Sequence, residues 1–183
     1  MKSSVSTLIF LLLTAITSFA NCGDPIKETS NTEKKIKWYT WEEAVELNKT
    51  KPKKMFVDVY TDWCGWCKKM DKTTYEDNKL VAYVNEHYYA VRFNAESQDE
   101  LQFNKKTYSY NAARRSNALA DYLLFGQLEF PTTVFLPTID AQPAPLAGYM
   151  KAKEMEAPLK YFGDGEYKNQ TFTEYNKKMK GKW

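Results

Sequence analysis

Cys64 and Cys67, separated by Gly65 and Trp66, are the pair in this chain best suited to do chemistry. Two thiols three positions apart close so small a loop that joining them constrains little of the unfolded chain, so a structural staple explains the pair poorly. Zinc normally needs a second such pair or added histidines, and His87 is the single histidine of the sequence. Thiol–disulfide exchange is the chemistry that suits the pair best, with structural zinc as the lesser alternative. Met55-Phe56-Val57-Asp58-Val59-Tyr60 just ahead of it is short, apolar and β-branched, as in a buried strand, and Cys64 to about Asp71 has helical composition. A cysteine at that junction faces the unpaired N–H groups and the positive dipole end of the helix, which favour a thiolate. Cys67 lies about one turn on, within reach of a mixed disulfide formed at Cys64. Cys64 is therefore expected as the exposed nucleophile and Cys67 as the buried resolving thiol. A resolving thiol needs a base. Asp58, in the middle of the apolar strand, is the candidate, because burial raises a carboxyl pKa towards the working pH. The blander alternative leaves Asp58 at a strand edge with its side chain in water. Trp63 and Trp66 flank Cys64 and form an apolar rim for an extended substrate, against the alternative that they are core residues.

The elements that must position these groups follow from capping and periodicity. Thr40-Trp41-Glu42-Glu43 is a capping box and predicts a helix to about Asn48, ended by Lys51-Pro52-Lys53. Asp77 is the N-cap of a second amphipathic stretch with Leu80, Val81 and Val84 at helical spacing. Tyr88 to Asn94 reads as a strand, so strand, helix and strand follow in order and imply a parallel, right-handed crossover. Leu101–Phe103 and Thr107–Tyr110 flank Asn104-Lys105-Lys106 as a small hairpin. A helix is predicted over Ser116–Phe125 with Gly126 as its stop, and Thr132–Leu136 is strongly β-prone. Leu146–Met150 reads as an edge strand. Lys153–Tyr161 has helical character interrupted by Pro158, and Thr171-Phe172-Thr173-Glu174 opens a final short helix.

Val57-Asp58-Val59-Tyr60-Thr61-Asp62-Trp63-Cys64-Gly65-Trp66-Cys67-Lys68 resembles the active-site segment of thioredoxins: the strand Asp, the Trp before the first Cys, the Cys-Gly-x-Cys core and the Lys after it. Phe130-Pro131-Thr132-Thr133 is similar to the second landmark of that family, a cis-proline loop facing the disulfide. The resemblance extends over about residues 38–183 and implies an α/β thioredoxin-like fold, a central mixed sheet flanked by helices. An insertion precedes the cis-Pro strand and a helical extension follows at the C-terminus. It further implies a cis Phe130–Pro131 bond, with Phe130 and Pro131 contacting substrate through the Phe130 main chain, as a short added strand. Arg92 falls where thioredoxins often carry a Lys near the buried Asp. Trp66 departs from the residues most common between the two thiols, so a redox potential does not transfer. The features together look like exported thioredoxin-related proteins of the thiol–disulfide interchange type.

The 183 residues suit one domain with a substantial core, and 26 basic against 23 acidic residues leave a net charge of +3 without a basic patch, which gives no case for nucleic acid. Lys2 followed by Leu8–Leu13, with Ser18-Phe19-Ala20 ahead of a cut, resembles a signal peptide, and the apolar run falls short of the roughly 20 residues a membrane span needs. The expected organisation is a signal peptide over residues 1–21, a polar linker or tether over 22–37 and the thioredoxin-like domain over 38–183; a retained anchor is the alternative for the first segment. Phe19-Ala20-Asn21-Cys22 resembles a bacterial lipobox, with Asn21 and Phe19 departing from it. Cys22 is thus a candidate lipidation site, against a clipped or spare thiol. These signals point to a protein exported to the periplasm, free or anchored facing it, where disulfides persist. The expected partners are disulfide-containing exported proteins and a membrane electron donor; no cofactor or metal is called for. A redox-inert binding or chaperone-like module on the same fold is the competing class.

Overall fold

The computed structural model describes residues 35–181 and 183; the expected signal peptide and Cys22 lie outside the described residues. In chain order the elements are β1 (Trp38–Tyr39), α1 (Trp41–Thr50), β2 (Lys54–Tyr60), α2 (Gly65–Asp71), α3 (Asn78–His87), β3 (Tyr88–Asn94), β4 (Leu101–Phe103), β5 (Lys106–Tyr108), β6 (Tyr110–Asn111), β7 (Ser116–Asn117), α4 (Ala118–Leu123), β8 (Thr132–Leu136), β9 (Ala144–Ala147), α5 (Ala152–Gly163) and α6 (Phe172–Lys178). Five strands form one mixed sheet in the order β1-β3-β2-β8-β9, with β1, β2 and β3 parallel and β8 and β9 antiparallel to their neighbours. The helices cover both faces. This is the thioredoxin fold that the active-site segment implied.

The alternation of β2 explains the two-sided core. Met55, Val57 and Val59 point to the layer that holds Trp41, Leu119 and Leu123, while Phe56 points to the layer of Met70, Leu80, Val84, Met155 and Leu159. Asp58 shares the parity of Phe56 and so enters the second layer, beneath α2. Register places it opposite Arg92 on β3 and Thr133 on β8.

The caps are where the sequence puts them. Thr40 and Thr171 both close reciprocal capping boxes, and the Asp77 carboxylate accepts from Lys79 and Leu80 N–H. Four expectations are corrected. The Lys153–Tyr161 stretch is not interrupted: α5 runs from Ala152 through Pro158 to Gly163. Pro158 forfeits one helical hydrogen bond at a cost of about 3 kcal/mol, but Met155 and Leu159 are fully buried on the same helix, each contributing roughly 1.5–3 kcal/mol. The edge strand is Ala144–Ala147 rather than Leu146–Met150, because Gly148, at φ 98°, turns the chain away. In the small hairpin only Asn104 and Lys105 form the turn, both at positive φ, which suits the twist of a two-residue connection and returns Lys106 to β5. Tyr110 leaves that hairpin for a separate ribbon with β7, and α4 starts at Ala118 because the Asn117 side chain caps Leu119 N–H. Ahead of β1, Ile36 is buried in the second layer and Lys37 N–H donates to Asn85 of α3.

Candidate active site

Cys64 is the N-cap of α2, and its Sγ accepts the Cys67 N–H at 3.0 Å. The two cysteines are joined as a disulfide, with Cα atoms 5.3 Å apart. The sequence assigned an exposed and a buried cysteine. In the oxidised protein both are covered, Cys64 at 4% and Cys67 at 3% exposure, since the bond and the helix N–H draw the Cys64 sulfur inward. What is exposed is the pair of tryptophans beside them. Trp63 is 66% and Trp66 56% exposed, so the core alternative for these two does not hold.

Each tryptophan is fixed by a different element. The Trp63 indole N–H donates to Glu96 Oε1 at 3.1 Å, and its ring stands edge-on to Phe130 with centroids 5.9 Å apart. A cleft of about 260 Å³ opens here, walled by Trp63, Glu96, Arg114, Arg115, Leu128 and Phe130. The β6–β7 turn that supplies the two arginines is braced: Arg114 binds Asp121 and the Gly126 carbonyl, and Asn111 Oδ1 accepts from Ala113 and Arg114 N–H. Nothing in the sequence marks this arginine pair, because only tertiary packing of the β6–β7 turn brings it beside Trp63. On the other side, Trp66 lies against Tyr149, and the Lys69 ammonium sits over both rings at 4.8 and 5.4 Å. The Phe130–Pro131 peptide is cis, and the Pro131 carbonyl accepts the Gly148 N–H at 2.8 Å.

Beneath α2, Asp58 is 1% exposed. The Tyr75 hydroxyl donates to its Oδ1 at 3.0 Å, and Arg92 Nε lies 3.4 Å from its Oδ2. Burial pushes the Asp58 pKa up to about 6, with the Arg92 charge and the Tyr75 hydrogen bond acting in the opposite direction. Burial lowers the proton affinity of Arg92, but the Asp58 and Asp71 carboxylates outweigh it and raise that affinity. Tyr75 is held well above the usual tyrosine range by burial first and by the Asp58 charge second, and so stays a neutral donor. Asp58 is therefore a buried carboxyl, not a strand-edge residue in water, and it sits one layer below the helix that carries both thiols.

The family model Thioredox_DsbH, described as a protein of unknown function (DUF255), matches residues 28–164. The chain belongs to this family. Among solved structures, a thioredoxin-fold protein from Helicobacter pylori is 19% identical with a TM-score of 0.55, covering 81% of this chain and 89% of its own. A DsbH oxidoreductase is 16% identical with a TM-score of 0.52, covering 78% and 94%. Both likenesses are of fold. An uncharacterised protein of Caenorhabditis elegans is 28% identical over 67 residues, which is 36% of this chain and 9% of that protein's length. The chain thus carries a Cys64-Gly65-Trp66-Cys67 disulfide at the start of α2 on a thioredoxin fold.

Proposed function

We propose that the protein reduces or isomerises disulfides of exported proteins, with Cys64 as attacking thiolate, Cys67 as resolving thiol and Asp58 as the base that serves Cys67. The observation that carries this reading is the joined cysteine pair at the start of α2, set above the buried Asp58 carboxyl, whose pKa burial pushes up to about 6. In the reduced protein, the Cys64 thiolate attacks one sulfur of a substrate disulfide, forms a mixed disulfide and expels the first substrate thiolate, which takes a proton from water. Asp58 then accepts the Cys67 proton, and the Cys67 thiolate attacks Cys64 Sγ. The second substrate thiolate leaves, and the protein is left in the oxidised form described above. Two electrons pass from the protein to the substrate, so a donor must return them; a membrane electron donor fills that role in an exported protein. Trp63 and Trp66 form the rim on which substrate rests, and the Phe130 main chain beside Pro131 pairs with an extended substrate segment.

Export is supported by the apolar N-terminal segment, and attachment by acylation of Cys22 is consistent with a polar tether ahead of the domain. Among the described residues no helix is long and apolar enough to cross a membrane. The segment from β4 to α4 acts as the insertion before the cis-Pro strand, and α6 as the C-terminal extension. The test uses Cys67→Ser. Incubated with a disulfide substrate, it is expected to accumulate a mixed disulfide through Cys64, visible by non-reducing mass spectrometry and absent from Cys64→Ser. Failure of Cys67→Ser to trap any substrate removes the proposal and leaves the redox-inert binding module.

A further inference from the structure

The Arg92 guanidinium serves two carboxylates, and it serves them unequally. Its terminal nitrogen donates to Asp71 Oδ2 at 2.9 Å, a well-formed charged hydrogen bond, while its Nε stands 3.4 Å from Asp58 Oδ2 without forming one. Asp58 Oδ2 and Arg92 Nε are both buried and face each other as an ion pair, with no well-aligned hydrogen bond between them or to another group. A full two-point pair between arginine and aspartate is the stronger arrangement, and it withdraws the carboxylate from proton exchange. The protein withholds that pair. Asp71 pulls one end of the guanidinium, and the Tyr60 and Trp38 rings, 4.6 and 5.6 Å from its central carbon, hold its plane. Asp71 is the last residue of α2, the helix that opens with Cys64 and Cys67, so the same contact ties the far end of the redox helix to the sheet.

We propose that Asp71 is a positioning residue of the redox site: it holds the Arg92 guanidinium short of a full pair with Asp58 and so keeps Asp58 free to exchange a proton with the thiol pair. The inference rests on the reading of Asp58 as the base for Cys67. Two effects of Asp71 point the same way. It draws the terminal nitrogen of the guanidinium to itself, so that Arg92 acts on Asp58 through its charge and Nε alone and not through a two-point pair, and its own negative charge opposes the Asp58 charge. The other groups acting on Asp58 are Arg92 on β3, Tyr75 on the turn after α2 and Tyr60 on β2; Thr133, opposite on β8, does not titrate.

The experiment follows the Asp58 carboxyl directly, by carbon-13 NMR titration of the oxidised protein, in wild type, Asp71→Asn, Asp71→Glu and Arg92→Met. Asp71→Asn is expected to lower the Asp58 midpoint by at least about 0.5 pH unit, Asp71→Glu to recover at least about half of that shift, and Arg92→Met to raise the midpoint by about one unit. Asp71 is partly exposed, and Asp71→Ser serves as a second variant should the asparagine form misfold. A midpoint in Asp71→Asn or Asp71→Ser within about 0.2 unit of wild type, or above it, overturns the proposal. The pH profile of substrate release from the mixed disulfide separates this from failure of the underlying reading. If Asp58→Asn keeps the wild-type profile, the base assignment falls, whatever Asp71 does to the titration. If Asp58→Asn loses the neutral limb while Asp71→Asn leaves that limb in place, Asp58 stands as the base and Asp71 loses its role.

Discussion

The Asp58 carboxyl binds its proton more tightly in the folded protein than in the unfolded chain, because burial raises its pKa from 3.8 to about 6. Ionisation therefore opposes folding. The penalty is absent below about pH 4 and complete above about pH 6, where a displacement of roughly two units amounts to about 3 kcal/mol. Asp58→Asn removes the charge and keeps an acceptor for Tyr75. It is expected to stabilise the oxidised protein at pH 8 by on the order of 2 kcal/mol, with the gain vanishing near pH 4, in urea unfolding at the two pH values. Equal stability of the two proteins at both pH values would refute the ionised, buried carboxyl. The same variant should slow release from the mixed disulfide about 100-fold or more at pH 7–8, the low end of the usual scale for losing a general base. Asp58 was legible in the sequence because a charged residue inside an apolar β-branched run is anomalous, and its burial carries a stability penalty. Trp63 and Trp66 were legible by adjacency to Cys64. Arg92 was anticipated only through the thioredoxin resemblance, and its second partner, Asp71, lies 21 positions away and becomes visible only once β3 and α2 are packed together.

At the scale of elements, α2 is short and depends on neighbours for its placement. Its start is held by the Cys64 cap and its end by Arg92, while Met70 is buried in the second core layer. α3 and α5 close that layer from the other side. They approach closely at Gly163, where an added Cβ would come within 2.8 Å of Tyr83 Cε1 and 2.9 Å of its Cζ. Gly163→Ala is expected to destabilise the protein by about 1–3 kcal/mol, since the Tyr83 ring must move from its bond to Asp164, while turnover per folded molecule stays unchanged. A melting temperature equal to wild type would show that the helices separate freely there. Thr40→Ala removes a capping box remote from the cysteines and is expected to cost about 1 kcal/mol in chemical unfolding, again without altering activity; an unchanged midpoint would mean the box contributes nothing. Caps and β-branched runs are local signals, which is why α1, α3, β2, β3 and β8 were readable to within a residue or two. Pro158 misled because the burial that carries α5 through it is tertiary, and β6–β7 was missed because a two-residue ribbon has too little pattern to register.

For the molecule as a whole, the residues between the thiols bear on the direction of electron flow. Gly65 and Trp66 place no titratable side chain between the thiols, so no protonated histidine there stabilises the Cys64 thiolate. The equilibrium potential in glutathione buffers is accordingly expected on the reducing side, and a value as high as roughly −120 mV, typical of a strong periplasmic oxidant, would reverse the assignment to reduction or isomerisation. Mass spectrometry of the membrane fraction decides the attachment at Cys22: a diacylated Cys22 as first residue is expected for an anchored form, and an unmodified N-terminus at Asn21 or Cys22 excludes it. The function of the protein rests on exchange of Cys64 and Cys67 with substrate disulfides. Reduction of insulin by the full chain in the presence of dithiothreitol tests this most directly. Wild type is expected to accelerate it and Cys64→Ser to fall to the uncatalysed rate; a wild-type rate no greater than dithiothreitol alone, or equal rates for the two proteins, would contradict the claim.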